Sequence, residues 1–412
     1  MSIQNVFKFP HLVILWISQL FSAIGDHLYV VAITWIAIQE LGSSAAYVIG
    51  AGTFSALFFG VLGGIYADRC NRLKTMIVTD LLRALLVACI PVIEWVTEIH
   101  LWHLVIISVA VSGLGTFFNP SLQSSLPSLC KDPKLLQQTN ALMDTTHRLA
   151  RILGPGLTGV FLLFLPLPHF FSFDSLTFVV SAIALTFIRK SFLKTDDHLQ
   201  SKPTHKVQTP LRDLTQAFIL LRHHKLLVWA LISLGLVNLC WGAVYMVGVP
   251  LLTEKVLNES IASFGLIGGA YGVGNIISLL VVGNMKRNMV YMYIGHLILG
   301  IGFIVIASAD TLWVALLGAV IAAFGSPMGD ILLLTIIQTD FPETQIGKIY
   351  SFRSLIGGLG LSLGTLLASM FYRLLPISVV MFIFSAIIIG IGLSGIMILK
   401  RINLKPVFHY SK

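Results

Sequence analysis

Long apolar runs, broken at short intervals by polar clusters, organise this chain. Twelve runs are long enough to cross a bilayer, which needs roughly 20 mostly apolar residues. They lie near 11–38, 45–66, 76–95, 101–119, 139–165, 170–188, 226–250, 261–283, 289–307, 311–337, 346–371 and 376–399. None shows the ten-residue alternation of a membrane β-strand. The pattern predicts an all-α polytopic membrane protein with twelve transmembrane helices. The longest hydrophilic stretch, 189–225, separates spans 6 and 7. It predicts two six-helix halves, 1–190 and 226–412, joined by a linker over 191–225. Within the linker, Leu211, Leu214, Phe218 and Leu221 share one helical face, as in an amphipathic helix lying on a membrane. Two six-span halves with a basic connection fit a duplicated transporter.

Composition sharpens this reading. The 412 residues are 56% hydrophobic and 11% charged, against about 25% charged in a soluble domain. A large soluble fold is excluded because it would lack a polar exterior. The net charge of +9 is unevenly placed. Of 27 lysines and arginines, 21 fall on the side holding both termini, and only Lys255 and Arg373 on the other. This asymmetry predicts both termini in the cytoplasm. It also accounts for the positive charge through the inner membrane face, without nucleic acid. Span 1 is too long for a signal-peptide core, so no cleaved leader is expected. Cys70, Cys89, Cys130 and Cys240 form no C-x-x-C, so neither disulfide nor metal site is expected.

Charges inside the spans carry the candidate chemistry, because each costs about 2.5–3.5 kcal/mol at a helix centre. Asp26 lies midway along span 1 with no basic residue within a helical turn. Desolvation favours the neutral form of a carboxyl, so an acid without a partner there is a candidate proton carrier. Asp330 in span 10 is a second candidate. Asp80 and Arg83, one turn apart in span 3, are expected to pair with each other or with span 5. Asp174, near the outer end of span 6, is expected in a wet structural position, and His27 in a packing role. In span 5, Asp144, His147, Arg148 and Arg151 share one helical face at the cytoplasmic end. An interfacial ion-pair cluster, a cytoplasmic gate and an anion contact at Arg151 all fit that stripe. Trp35, Phe117, Phe118, Asn238, Trp241 and Tyr245 could line a broad, mostly apolar cavity suited to amphiphiles.

The segment GGIYADRCNRLK (63–74) resembles the signature of the major facilitator superfamily between spans 2 and 3. Gly64, Asp68, Arg69, Arg72 and Lys74 match it. Asn71 stands where the family has glycine, and asparagine tolerates a left-handed turn. The resemblance implies that Asp68 meets the start of span 11 near Gly347, where a helix N-terminus favours a carboxylate. It also implies that the arginines form a cytoplasmic gate. DLLRALL (80–86), FFNPSLQSSLPSL (117–129), LLQQTNAL (135–142), RILGPGLTG (151–159) and IGKIYSFRSL (346–355) resemble the branch holding macrolide efflux proteins and the enterobactin exporter. Gly154, Pro155 and Gly159 resemble the span-5 motif of the superfamily's proton antiporters, where small residues permit close packing. Thr158 departs from that motif. The span-4 arginine of many antiporters also has no counterpart between Leu104 and Phe118.

No H-E-x-x-H, P-loop or G-x-S-x-G occurs, so neither an enzyme nor an ATP-driven pump is expected. The reading is an inner-membrane secondary transporter. It would export an amphiphilic small molecule, drug-like or a siderophore, by proton antiport with alternating access. A proton-coupled nutrient importer and a lysophospholipid transporter are the alternatives. No cofactor beyond the proton gradient is expected. The expected partners are the substrate, protons and the bilayer, with a monomeric state left open.

Overall fold

The computed structural model describes residues 3–67, 71–130, 164–189, 224–282, 288–341 and 343–401, with scattered positions between 135 and 162 and at 285. Among the described residues the elements are helical. They are α1 (Pro10–Leu41), α2 (Ala45–Ala67), α3 (Arg72–Val96), α4 (Leu101–Leu129), α5 (Pro168–Phe187), α6 (Lys225–Trp241), a π-helical segment (Gly242–Gly248), α7 (Val249–Lys255), α8 (Ile261–Val282), α9 (Met289–Ala307), α10 (Leu312–Asp340), α11 (Glu343–Leu374) and α12 (Ile377–Arg401). Among the described residues, ten stretches are long and apolar enough to cross a membrane, and the longest, Pro10–Gly60, holds two expected spans. Helices dominate because a bilayer offers no water to backbone groups, which must bond within their own segment. Pro91, Pro120, Pro127 and Pro327 sit inside helices.

Two compact units emerge: Met1–Leu41 with Ala51–Val207, and Gly42–Gly50 with Gln208–Lys412. In the first, α5 packs against both α1 and α3, and α3 packs against α4. One core cluster joins Leu12, Leu15, Met76, Phe118, Leu122 and Leu185. The Ser55 hydroxyl donates to the Val109 carbonyl at 2.7 Å, tying α2 to α4. In the second unit α10 packs on α8 and α9, α9 on α12, and α11 along α6 and the π segment. Gly360 and Gly364 allow that last approach, since a side chain at either would strike the α6 backbone at Gly235 or Leu239. On a turn opened by Gly42, with its positive φ of 55°, Ser44 accepts a 2.6 Å hydrogen bond from Arg373.

Asn71 corrects the expected left-handed turn. Its φ is −64°, and its side chain accepts from the Lys74 backbone N–H at 2.9 Å. Asparagine here caps the first turn of α3, a role its short carboxamide fills well. In the fifth expected span, Asp144, His147, Arg148, Arg151, Gly154, Pro155 and Gly159 lie outside the described residues. So do Asp68, Arg69 and the amphipathic stretch 211–223.

Candidate functional site

In the N-terminal unit, charge collects where α1, α3 and α5 meet. Asp26 occupies the middle of α1 and Arg83 the middle of α3. The Arg83 guanidinium donates to Asp26 Oδ1 at 2.6 Å. This overturns the expectation of an Asp26 without a partner and of an Asp80–Arg83 pair. The partner comes from 57 residues away, on another helix, beyond any search within one turn. The guanidinium also lies over the Phe178 ring at 3.9 Å from its centre. An aromatic face is a favourable neighbour for a cation with few water contacts.

Two more acids complete the cluster. Asp80 is buried on α3 and hydrogen-bonds with Ser181 of α5. Ser181 in turn accepts from Gln19 of α1 at 3.2 Å, so a polar chain crosses three helices. Asp174 on α5 is completely buried, which corrects the expected wet position. Its depth follows from Gly25. A β-carbon there would sit 2.5 Å from Asp174 Oδ1 and 2.7 Å from Thr177 Oγ1, so only glycine lets α1 and α5 approach this closely. Exposure separates the acids: the Asp26 side chain is 43% exposed, whereas Asp80 and Asp174 are buried.

In the C-terminal unit the expected cavity residues partly converge. The Trp241 ring stacks on Tyr245 with centres 5.0 Å apart, and Tyr245 meets Tyr271 at 4.4 Å. Trp241 Nε1 donates to the Tyr271 hydroxyl at 2.9 Å. Tyr271 and, at 6.5 Å, Phe303 were not expected. The one hint to Tyr271 is its glycine-rich setting, GGAYGVG (268–274). The π segment carries Tyr245. Within that segment the Ala243 carbonyl accepts a hydrogen bond from the Tyr372 hydroxyl at 3.0 Å. Asn238 donates to the Leu234 carbonyl one turn back at 2.9 Å. Trp35 is buried in α1, and Phe117 approaches Phe59 at 6.5 Å.

Asp330 on α10 pairs with Arg353 on α11, another partner supplied from a different helix. The Asp330 side chain is 60% exposed against 43% for Asp26, while the two arginines are equally buried, with 12% and 11% exposed. Gly64 lies in α2 and Arg72 opens α3, where it donates to the Ser124 carbonyl at 2.7 Å within its own unit.

A family model, the Major Facilitator Superfamily, matches residues 15–365. The chain belongs to the Major Facilitator Superfamily. It is thus a multi-pass membrane transporter and not an enzyme. This transporter is similar to the multidrug efflux pump Tap of Mycolicibacterium fortuitum, 28% identical over 38% of this chain and 39% of that protein. It is also similar to macrolide efflux protein A of Streptococcus pyogenes, 21% identical over 87% of this chain and 88% of that one. The solved structure of the POT family transporter PepTSo shares its fold with a TM-score of 0.68. That likeness comes at 14% identity and covers 98% of this chain and 99% of the other.

Proposed function

We propose that this transporter exports an amphiphilic small molecule, a macrolide-like drug or a siderophore, in exchange for protons entering the cell. It would sit in a bacterial inner membrane with both termini cytoplasmic and work by alternating access. The observation that carries this reading is the Asp26–Arg83 pair in the middle of its helices, with Asp80 and Asp174 buried beside it. Membrane-embedded ionisable groups mark ion pathways and proton relays. A partly exposed carboxylate held by a buried cation can exchange protons with water as its surroundings change. Similarity to an efflux pump and a macrolide efflux protein supports the outward direction. The Trp241–Tyr245–Tyr271 cluster supports a bulky, largely apolar substrate, since aromatic faces with a few polar anchors suit such ligands.

Everted membrane vesicles test the reading. An imposed pH gradient should drive accumulation of one class from a panel of a macrolide, a lipophilic cationic dye, and catecholate and carboxylate siderophores. Asp26→Asn should abolish that accumulation. Accumulation that ignores the gradient, or of no compound at all, would refute the proposal.

A further inference from the structure

Three carboxylates surround one guanidinium in the N-terminal unit. Asp26, Asp174 and Asp80 all lie within electrostatic reach of Arg83, yet among the described residues Arg83 hydrogen-bonds to Asp26 and to neither of the other two acids. With every group ionised, the cluster would hold two uncompensated negative charges. A single unpaired buried charge already costs several kcal/mol. Protonation is the cheapest remedy, and the hydrogen bonds indicate where the proton sits. Asp80 Oδ2 is also without a partner, but this acid receives support from Ser181, whose own oxygen is satisfied by Gln19. Asp174 has almost none. Its Oδ2 lacks a partner, and its Oδ1 has only the Thr177 hydroxyl at 3.4 Å. That hydroxyl already donates to the Asp174 backbone carbonyl at 2.7 Å, and it has one hydrogen to give. Among the described residues, a negative charge on Asp174 has only the long Thr177 contact and the guanidinium that Asp26 now holds.

We propose that Asp174 is the acid that stores the coupling proton, and that Asp174 and Asp26 take turns as the partner of Arg83. This rests on the proton-exchange reading above and names the group that performs it. The step balances. The O–H bond at Asp174 breaks, its proton passes to the Asp26 carboxylate, and one negative charge moves from Asp26 to Asp174. The guanidinium keeps all its protons and follows the charge. Asp26, the exposed member, then releases the proton to water. Facing Asp174 are Asp26 and Tyr29 from α1, and Asp80 and Arg83 from α3. Gly25 sets the distance, because a β-carbon there would separate the two acids that exchange the proton.

Infrared spectroscopy of the full-length protein in lipid nanodiscs, titrated across pH without substrate, tests this. The wild type should show a protonated-carboxyl stretch at neutral pH that fades on alkalinisation. Asp174→Asn should remove it, and Asp80→Asn should retain it. Asp26→Asn should also lose it at neutral pH, because Arg83 would then turn to Asp174 and favour its ionised form. If Asp174→Asn does not fold, Asp174→Glu should fold with the band displaced in frequency and pH midpoint. No protonated carboxyl in the wild type, or a band unchanged in Asp174→Asn and Asp174→Glu, would overturn the proposal. The vesicle experiment fails separately: gradient-driven accumulation with no Asp174 band would remove Asp174 while leaving proton exchange standing.

Discussion

Arg83 and Arg353 are both embedded arginines that find an aspartate on a neighbouring helix, yet their surroundings differ sharply. Among the described residues Arg353 pairs with one acid, Asp330, whose side chain is 60% exposed. Arg83 has three acids in reach, two of them buried. A one-to-one pair is neutral and needs no proton to balance it. A three-to-one cluster under low dielectric is unbalanced until protons join it. An intramembrane ion pair is therefore a weak sign of coupling by itself, and the excess of buried acid is the stronger one. The C-terminal unit instead invests its unusual backbone, the π segment, in an aromatic cluster. Buried charge collects in one unit and aromatic rings in the other, which the proposed function reads as charge handling and apolar recognition.

Substitutions probe the contrast. Arg83→Gln strands three acids and should cost about 3–5 kcal/mol, the usual penalty for breaking a buried pair from one side. Thermal unfolding in detergent measures it, and Asp26→Asn in the same chain should restore part of the loss. Gly25→Ala should cost about 1–3 kcal/mol by overpacking the α1–α5 contact, and should impair gradient-driven accumulation more than binding. Trp241→Phe removes the hydrogen bond to Tyr271 while keeping the stack. A loss of about 1 kcal/mol is expected, together with a changed order of preference across the vesicle panel. Arg353→Gln should cost less than Arg83→Gln, because it leaves one exposed acid rather than a cluster with two buried ones. A penalty there equal to that of Arg83→Gln would erase the distinction between the units.

How much was legible follows from range. Spans are local, and a 20-residue apolar run announces itself, so the helices of both units follow the apolar runs. The acids were legible too, since a charge inside such a run stands out. Their partners were not. Asp26 meets Arg83 across 57 positions, and no periodicity on one helix reports which face another helix presents. Asp174 was misjudged because its place near a span end suggested water, whereas its burial depends on the missing side chain of Gly25. Asn71 was read for its tolerance of positive φ when the backbone needed a cap. Tyr271 drew no notice because a lone tyrosine becomes part of a cluster only when α8 packs beside the π segment.

The deciding experiment compares the two arginine pairs in one preparation. Proteoliposomes would carry an internal pH-sensitive dye, and the compound accumulated in the vesicle panel would be added under a gradient. Wild type and Asp330→Asn should both move protons when it is added, while Asp26→Asn and Asp174→Asn should not. Proton movement that persists in both N-terminal variants and stops in Asp330→Asn would place coupling in the C-terminal unit and defeat this account.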